Sequence, residues 1–252
     1  MIRAENRGGV ATVTLDRPPV NALTSALYVE LGELFNLLGK DMSVHCALLV
    51  SASEKAFSAG KDLNEFLATT VEDDPAQALI VRTAFSAILH CHIPVIAVVN
   101  GPALGAGCVI ASVCDIRMAS PKATFGLPEI NVGRCGGGAH LGRLIPQGAL
   151  RRMAFTGEPI SAAEAYRIGL VDVLVEPERL LDEAQALAAA IASKSPLGLR
   201  LGKQALGLAE TLPLEEGYAC EQAFSTKLMR AEDGREAARA FVEKRTPVFV
   251  GR

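Results

Sequence analysis

The sequence has no tryptophan, and aromatic residues make up only 5% of its 252 positions. Proteins that bind single-stranded nucleic acids stack the bases on aromatic side chains, and those that bind duplexes neutralise phosphates with an excess of basic residues. Here 25 basic residues stand against 28 acidic ones, which gives a net charge of −3. We therefore expect no nucleic-acid partner.

Long apolar runs and paired cysteines are also missing. No stretch is long enough to span a bilayer, and the first residues do not form a signal peptide, so we expect no membrane partner and a cytoplasmic location. The six cysteines form no CxxC pair, which favours reduced thiols. His90, Cys91 and His92 are consecutive and would point in different directions on a helix, so we expect no metal site.

Half of the residues are hydrophobic, enough for a large core. Apolar runs that suit buried strands alternate with segments of helical periodicity, and this alternation predicts an α/β fold with a mostly parallel sheet. Strands are expected at 2–5, 10–15, 46–50, 93–99 and 170–175. Helices are expected at 23–38, 76–89, 139–144, 178–194, 197–209, 214–230 and from 233 to about 244.

The most informative stretch runs from residue 94 to residue 130. A buried strand ends at Asn100-Gly101-Pro102, and the small residues 103–108 lead into an apolar helix that reaches Val113. A strand that passes through a glycine-rich turn into a helix leaves backbone N–H groups unpaired. Such groups attract a phosphate or a developing oxyanion. Downstream, Glu129 lies among apolar residues, a setting that raises a carboxyl pKa.

A second turn of the same kind spans residues 54–66. Ser58, Ala59 and Gly60 are small enough for a ligand to approach the backbone, and Asp62 followed by Glu65 resembles a capping box. Both turns follow strands of one sheet, at the carboxyl ends where open α/β sheets bind ligands. A ligand site and two ordinary turns both remain open here. A P-loop is absent, and the glycine spacing at 101–107 is not that of a dinucleotide fingerprint.

Nearly the whole chain resembles the crotonase, or enoyl-CoA hydratase/isomerase, superfamily. The resemblance implies a crotonase-like spiral of ββα units, a core at 1–190 with an acyl-CoA site, and a helical oligomerisation region at 191–252. It also implies an acyl-CoA thioester substrate, no separate cofactor, and a homotrimer or dimer of trimers. The residues that carry it are Arg17-Pro18, Asn21-Ala22-Leu23, Phe57-Ser58-Ala59-Gly60-Lys61-Asp62-Leu63, Pro94-Val95-Ile96-Ala97, Gly107-Cys108, Cys114-Asp115, Phe125-Gly126-Leu127-Pro128-Glu129, Thr156-Gly157, Gly169-Leu170-Val171 and Phe241-Val242-Glu243-Lys244-Arg245.

Carried over residue by residue, the resemblance assigns an oxyanion hole to the backbone N–H groups of Lys61 and Ala106. Glu129 matches a catalytic acid/base. The Lys61 side chain faces either solvent or the CoA phosphates, and both options remain open. The positions that match substrate and CoA contacts are Ala22, Ser58, Ala59, Gly60, Asp62, Leu63, Gly105 and Val109.

Val109 is the main departure from the family pattern, because hydratases of the family carry their first catalytic glutamate there. Three functions therefore remain open. The first is isomerisation or a nonstandard hydration that uses Glu129 alone; the second is another enolate reaction, such as decarboxylation or thioester hydrolysis; the third is acyl-CoA binding without catalysis. Arg134, Cys135 and His140, around the triple glycine 136–138, are candidate substitutes for the missing acid, with a structural role as the simpler interpretation.

Overall fold

The computed structural model describes all residues from 1 to 252. Its strands are β1 (Ile2–Arg7), β2 (Val10–Leu15), β3 (Ala22–Leu23), β4 (Cys46–Ser51), β5 (Gly60–Lys61), β6 (Val95–Val99), β7 (Ala103–Leu104), β8 (Ile116–Ala119), β9 (Thr124–Gly126), β10 (Ile160–Ser161) and β11 (Val173–Leu174). Its α-helices are α1 (Ser25–Lys40), α2 (Leu63–Ala68), α3 (Asp74–Leu89), α4 (Ala106–Val113), α5 (Gly138–Leu141), α6 (Gln147–Thr156), α7 (Ala162–Arg167), α8 (Leu180–Ala192), α9 (Pro196–Ala209), α10 (Leu214–Arg230) and α11 (Glu232–Glu243). A 3-10 helix covers Pro128–Val132.

The main sheet has six strands in the order β1-β2-β4-β6-β8-β11. The first pair forms an antiparallel hairpin, and every later neighbour is parallel. The predicted α/β class with a mostly parallel sheet is therefore confirmed. The long apolar runs of β4 and β6 are explained because both faces of the sheet are covered.

Alternate residues of the central strands enter two separate cores. Leu49 and Ala97 belong to the larger core, with the helices α1, α3 and α4, whereas Leu48 and Ile96 pack with α8 on the opposite face. The larger core holds 43 buried residues and the smaller one 9. Most of the hydrophobic stabilisation therefore comes from the face that also carries the glycine-rich turns.

Two small sheets bring these turns together. Strand β5 pairs in parallel with β3, while β7 pairs with β9. Residue 58, just before β5, forms an isolated bridge to Ala103, and the Leu104 N–H donates to the Ser58 carbonyl at 2.9 Å. The residues after β4 and the residues after β6 thus form one continuous surface.

Several local predictions need correction. Leu23 lies in β3 rather than in the first helix, which begins after Thr24, whose side chain accepts from the Leu27 N–H. The last strand covers only Val173–Leu174. Asp62 does cap α2, but Glu65 completes no box, since its carboxylate accepts from the Ser25 N–H at 2.7 Å.

Of the last three helices, α9 is tied to the rest of the fold through two long basic side chains, while α10 and α11 pack on α9 and on each other. The Arg200 guanidinium donates to the carbonyls of Gly39, Asp41 and Val44, and Lys203 donates to the Ile93 carbonyl at 3.0 Å. Residue 190 lies within α8, so the division expected there falls inside a helix that packs on the sheet. No helix combines the length and the apolar character that a membrane crossing requires.

Candidate active site

Two glycines allow the turns before α2 and α4 to touch. Gly60 has φ +87°, and a Cβ there would lie 2.7 Å from the Leu104 carbonyl oxygen and 3.2 Å from the Ala106 nitrogen. A Cβ on Gly107 would lie 2.3 Å from the Ser58 carbonyl oxygen. Any side chain would push the backbones apart, so glycine is required at both positions.

The backbone N–H groups of Lys61 and Ala106 lie on these facing segments. Ala106 is the first residue of α4, where an N–H has no partner within the helix. The Asp62 N–H donates to Leu23 at 2.9 Å, and successive N–H groups of a strand point to opposite sides. The Lys61 N–H therefore points away from β3, toward the start of α4. Their joint use as an oxyanion hole stays a prediction.

Glu129 stands next to the start of α4. It lies in the 3-10 helix, and a Cβ on Gly105 would be 2.9 Å from its Oε1 atom. Its Oε2 atom is buried without a hydrogen-bond partner. Burial raises the pKa of this carboxyl, partly offset by a hydrogen bond from its own backbone N–H. A carboxylate so placed is a stronger proton acceptor than an exposed one.

Val109 lies one turn further along α4, where its N–H donates to the Gly105 carbonyl at 3.0 Å. The side chain is fully buried. A Cβ on Gly137 would lie 2.8 Å from Val109 Cγ2 and 2.7 Å from Leu127 Cδ2. The triple-glycine loop therefore packs directly on an apolar pair, and no carboxylate occupies the position of Val109.

The strip between residues 58 and 63 combines structural and accessible groups. The buried Ser58 hydroxyl donates to the Asn21 carbonyl at 2.7 Å and accepts from the Gly60 N–H, so it shapes the turn. Ala59 is half-buried, and its N–H donates to the Val20 carbonyl at 2.9 Å. Leu63 is 56% exposed. A contact between this strip and CoA stays a prediction.

Asp62 and Arg17 tie the strip to β3. The Asp62 carboxylate pairs with Arg17 at 2.7 Å, and Arg17 also donates to the Ala22 carbonyl at 2.8 Å. The backbone N–H of Glu65 and the Arg17 guanidinium hold the pKa of Asp62 below its usual range. Asp62 is therefore ionised in a hydrogen-bonded frame, and the half-buried Ala22 is part of the same frame.

Phe66 gathers two cations above its ring, a feature that sequence reasoning missed. The Lys61 ammonium lies 5.7 Å from the ring centroid and the Arg134 guanidinium 5.3 Å from it. Arg134 is also paired with Asp74 at the start of α3. This gives Arg134 a structural contact between the glycine loop and α3. The Lys61 ammonium therefore faces the Phe66 ring. A contact between the same ammonium and a phosphate of CoA stays a prediction.

Three further rings meet beside the site. Phe85 packs edge-on against Tyr28, with centroids 6.1 Å apart, and against His140, with centroids 5.6 Å apart. His140 is thus brought next to the loop on Val109, while Cys135 is exposed. Sequence reasoning missed Tyr28, although the helical spacing between Thr24 and Leu31 places it on the core-facing side of α1. The hydroxyl of a buried tyrosine normally needs a hydrogen-bond partner, so a tyrosine on this face was a signal for a polar contact.

No group of three or more His, Cys, Asp or Glu side chains is placed to hold a metal ion. The four cysteines at 46, 91, 108 and 114 are buried, and burial raises the pKa of Cys108, beside the turn, to about 12. A thiol with such a pKa is an unreactive core side chain at neutral pH.

Comparison with known proteins gives one result along the whole chain. The family model described as enoyl-CoA hydratase/isomerase matches residues 5–252. A short-chain-enoyl-CoA hydratase of Clostridium acetobutylicum is 37% identical over 245 residues, which cover 96% of this chain and 94% of that protein. A (7aS)-7a-methyl-1,5-dioxo-2,3,5,6,7,7a-hexahydro-1H-indene-carboxyl-CoA hydrolase of Rhodococcus jostii is 34% identical and covers 95% of this chain and 93% of its own length. The crystal structure of an enoyl-CoA hydratase from Bacillus anthracis superposes with a TM-score of 0.95 at 32% identity, covering 100% of this chain and 99% of that one.

Proposed function

Because the chain belongs to the enoyl-CoA hydratase/isomerase family, we propose that it moves a proton on an enoyl-CoA thioester through a stabilised enolate, with Glu129 as its one acid/base. The observation that carries this proposal is the pair formed by Glu129 and Val109. One carboxylate faces the start of α4 with a free oxygen, and the next turn of the helix offers only a buried methyl group.

The reaction needs only groups of this chain and the substrate. The Glu129 carboxylate takes a proton from C2 of a 3-enoyl thioester, or from C4 of a 2-enoyl one. The electron pair moves to the thioester oxygen, directly from C2 or through the C2–C3 double bond from C4, and in both cases gives the same dienolate, whose negative charge the N–H groups of Lys61 and Ala106 stabilise. Glu129 then returns the proton to the other carbon. Losing one donor of such a hole costs about 3–4 kcal/mol in comparable sites.

Isomerisation is favoured over hydration because of the surroundings of Val109. Two-carboxylate hydration uses one group to hold water and the other to deliver a proton. Here the Val109 side chain on α4 lies beside Leu127 and the Gly137 backbone. It offers no hydrogen bond to a water molecule. A single carboxylate that moves a proton between C2 and C4 needs no such water.

Two other activities follow from the relatives. The Clostridium acetobutylicum protein is named a hydratase, which keeps a nonstandard hydration with Glu129 as the second candidate. The Rhodococcus jostii protein is named a hydrolase of a carboxyl-CoA compound, which keeps a hydrolytic reaction of a CoA ester, such as thioester hydrolysis, as the third. Each leaves a different product, so the candidates are separable.

The test measures three products from matched substrates. Trans-3-hexenoyl-CoA is expected to gain the ultraviolet band of the conjugated thioester, and trans-2-hexenoyl-CoA to lose it slowly or not at all. Glu129→Gln is expected to lower isomerisation by about 10²–10⁴-fold, since the amide accepts no proton. Glu178→Gln, at an exposed position, is the matched control and should retain the wild-type rate.

Each alternative has its own signature. Conversion of trans-2-hexenoyl-CoA to a 3-hydroxyacyl product as the main activity would replace isomerisation by hydration. Release of free CoA thiol would indicate a hydrolase. Tight binding of the esters with no product would contradict catalysis and support the acyl-CoA binder, and full activity in Glu129→Gln would place the chemistry elsewhere.

We infer that the protein assembles as a homotrimer or dimer of trimers. The support is the exposed apolar surface of the last three helices, where Leu214 is 84% exposed, Met229 78% and Phe241 87%. A monomer rarely leaves so many large apolar side chains in water on neighbouring elements. A symmetric assembly would cover them.

A further inference from the structure

Two buried polar atoms beside the site have no partner within the chain. They are the hydroxyl of Tyr28 and the Nδ1 atom of His140. Phe85 contacts both rings edge-on. We call the three rings of Tyr28, Phe85 and His140 the ring wall. The wall consists of aromatic rings and carries two polar atoms, the Tyr28 hydroxyl and His140 Nδ1. Buried polar atoms are nearly always hydrogen-bonded in native proteins.

The Tyr28 hydroxyl is a neutral donor. Tyr28 is only 1% exposed, and burial is the main reason that its pKa is raised, with the Glu129 and Glu65 carboxylates adding to the effect. Ser25 lies one helical turn before Tyr28 on α1, and its N–H donates to the Glu65 carboxylate at 2.7 Å. This hydrogen bond fixes the position of Glu65 near Tyr28. The hydroxyl therefore lies in the electrostatic field of the proposed acid/base and keeps its proton at any ordinary pH.

His140, which also contacts Phe85, supplies a second neutral group. Burial lowers the pKa of its imidazole, and the charge of Arg143 lowers it further. The backbone N–H of His140 donates to the Gly137 carbonyl at 3.2 Å, and Gly137 rests on Val109. The ring is thus held close to the turn of α4 that follows the proposed oxyanion site.

Nearby guanidinium groups are already paired. Arg143 forms two hydrogen bonds to the Glu210 carboxylate, at 2.6 and 2.7 Å, and Arg134 is paired with Asp74. The ring wall thus offers a hydroxyl and a neutral imidazole, with carboxylates rather than unpaired guanidinium groups around it. The hydroxyl and the imidazole can hydrogen-bond a neutral oxygen of a ligand. A carboxylate of a ligand would be repelled by the negative charges of Glu129 and Glu65.

We propose that the Tyr28 hydroxyl and His140 Nδ1 bind a carbonyl or hydroxyl oxygen on the acyl chain, beyond the reacting carbons. The substrate class is then an oxygenated acyl-CoA rather than a plain hydrocarbon or dicarboxylic one. The inference rests on the proposed acyl-CoA function and adds a specificity subsite to it. Sites that hydrogen-bond a substrate oxygen reject analogues that lack it, because their own buried groups are left unpaired.

The test is equilibrium binding of saturated esters, which have no double bond to isomerise or hydrate. Isothermal titration calorimetry would compare hexanoyl-CoA, 4-oxohexanoyl-CoA, 5-oxohexanoyl-CoA and adipoyl-CoA. At least one oxo ester is expected to bind about tenfold more tightly than hexanoyl-CoA, and adipoyl-CoA less tightly than either oxo ester. Tyr28→Phe keeps the ring and removes only the hydroxyl, and His140→Phe keeps an aromatic ring without Nδ1; each should reduce the oxo preference several-fold.

Two controls make the result specific. Tyr166→Phe removes a hydroxyl from a tyrosine that is 53% exposed, and it should leave every ratio unchanged. His140→Asn places an amide near the Nδ1 position and should restore part of the preference lost in His140→Phe. Circular dichroism would show that each variant is folded; should Tyr28→Phe not fold, the His140 pair alone decides the result.

Equal binding of hexanoyl and oxo esters would overturn the subsite, as would an oxo preference that survives both phenylalanine variants. Tightest binding of adipoyl-CoA would also overturn it, because it would show a cationic subsite. Failure of every ester to bind would instead refute the acyl-CoA function itself. Failure of the subsite and failure of the proposed function are therefore distinguishable.

Discussion

Replacing Gly137 by alanine tests the contact between the glycine loop and Val109. Gly137 has φ +76°, and an added Cβ would approach Leu127 Cδ2 to 2.7 Å and Val109 Cγ2 to 2.8 Å. The left-handed backbone costs an alanine about 1 kcal/mol. Forcing one carbon into a filled space adds about 1–3 kcal/mol. We expect a total loss of about 2–4 kcal/mol in the free energy of unfolding.

Gly133→Ala separates the two terms. Gly133 has φ +72°, nearly the same backbone strain, but nothing lies within 4 Å of an added Cβ. Its expected loss is therefore only about 1 kcal/mol, from the backbone alone. Gly136→Ala, with neither a positive φ nor a neighbour within 4 Å, should be close to neutral.

Val109→Ala in the Gly137→Ala background supplies a thermodynamic cycle. The double change removes the methyl group that the new Cβ would meet, while the Leu127 contact remains. We expect a favourable coupling of about 1 kcal/mol, within the range found for residues in contact.

Urea unfolding followed by circular dichroism would measure all of these variants. The concentration is held constant because assembly contributes to apparent stability. Equal losses in Gly133→Ala and Gly137→Ala, or strictly additive effects of the Val109 and Gly137 changes, would refute the direct packing of the loop on Val109. The turn of α4 at Val109 would then not be closed by the glycine loop, and the argument against two-group hydration would lose its support.

The other predictions concern the proton, the missing acid and the assembly. Burial raises the pKa of Glu129, and only its ionised form accepts a proton, so kcat/KM should fall on acidification through a pKa above the ordinary value of about 4.3; an acid limb at or below that value would contradict the assignment. Because the pKa of Glu129 is higher in the folded state than in the unfolded chain, the folded protein loses some stability as the pH rises from the unfolded pKa to the folded one. Glu129→Gln should remove this pH-dependent loss in the free energy of unfolding. Val109→Glu should introduce or increase hydration of a short trans-2-enoyl-CoA, measured by loss of the conjugated band, with a loss of a few kcal/mol in unfolding free energy for the buried carboxylate; unchanged hydration in a folded variant would show that position 109 does not face the acyl carbons. Light scattering should give at least three times the chain mass of 26.5 kDa, and Phe241→Asp should weaken assembly by placing a charge on an apolar surface; a wild-type monomer at micromolar concentration would contradict the inferred trimer.

Much of the fold was predictable because its signals are local. The unbroken apolar run before Asn100 predicted β6, and that strand is buried on both faces. Pro196 predicted the start of α9, and it is the first residue of that helix. Such features depend on a few consecutive residues, whose backbone preferences and periodicity are independent of the rest of the chain. The two-residue strands β3, β5 and β7 were not predicted, since two residues are too few to show a period.

The candidate site was only partly predictable for the same reason. The sequence predicted Gly105, Ala106 and Glu129 as site residues. A glycine-rich turn and a carboxylate among apolar residues are local patterns that need no knowledge of the fold. The partners of Glu65 were misjudged, because its carboxylate binds the N–H of Ser25, 40 residues away. A capping pattern states which groups could bond, but the position of α2 beside the first residue of α1 decided which ones do.

The sequence by itself determined the types of the longer elements, the positions of the two strand-to-helix turns, the absence of a second glutamate at Val109 and the family to which the chain belongs. Only the tertiary structure decided that Tyr28, Phe85 and His140 form one wall, that Arg134 and Lys61 share the Phe66 ring, and that Gly137 rests on Val109. Apart from Lys61 and Phe66, the partners in these contacts are separated by more than 25 positions along the chain. Their contacts depend on how whole helices and strands pack, and no local period contains that information.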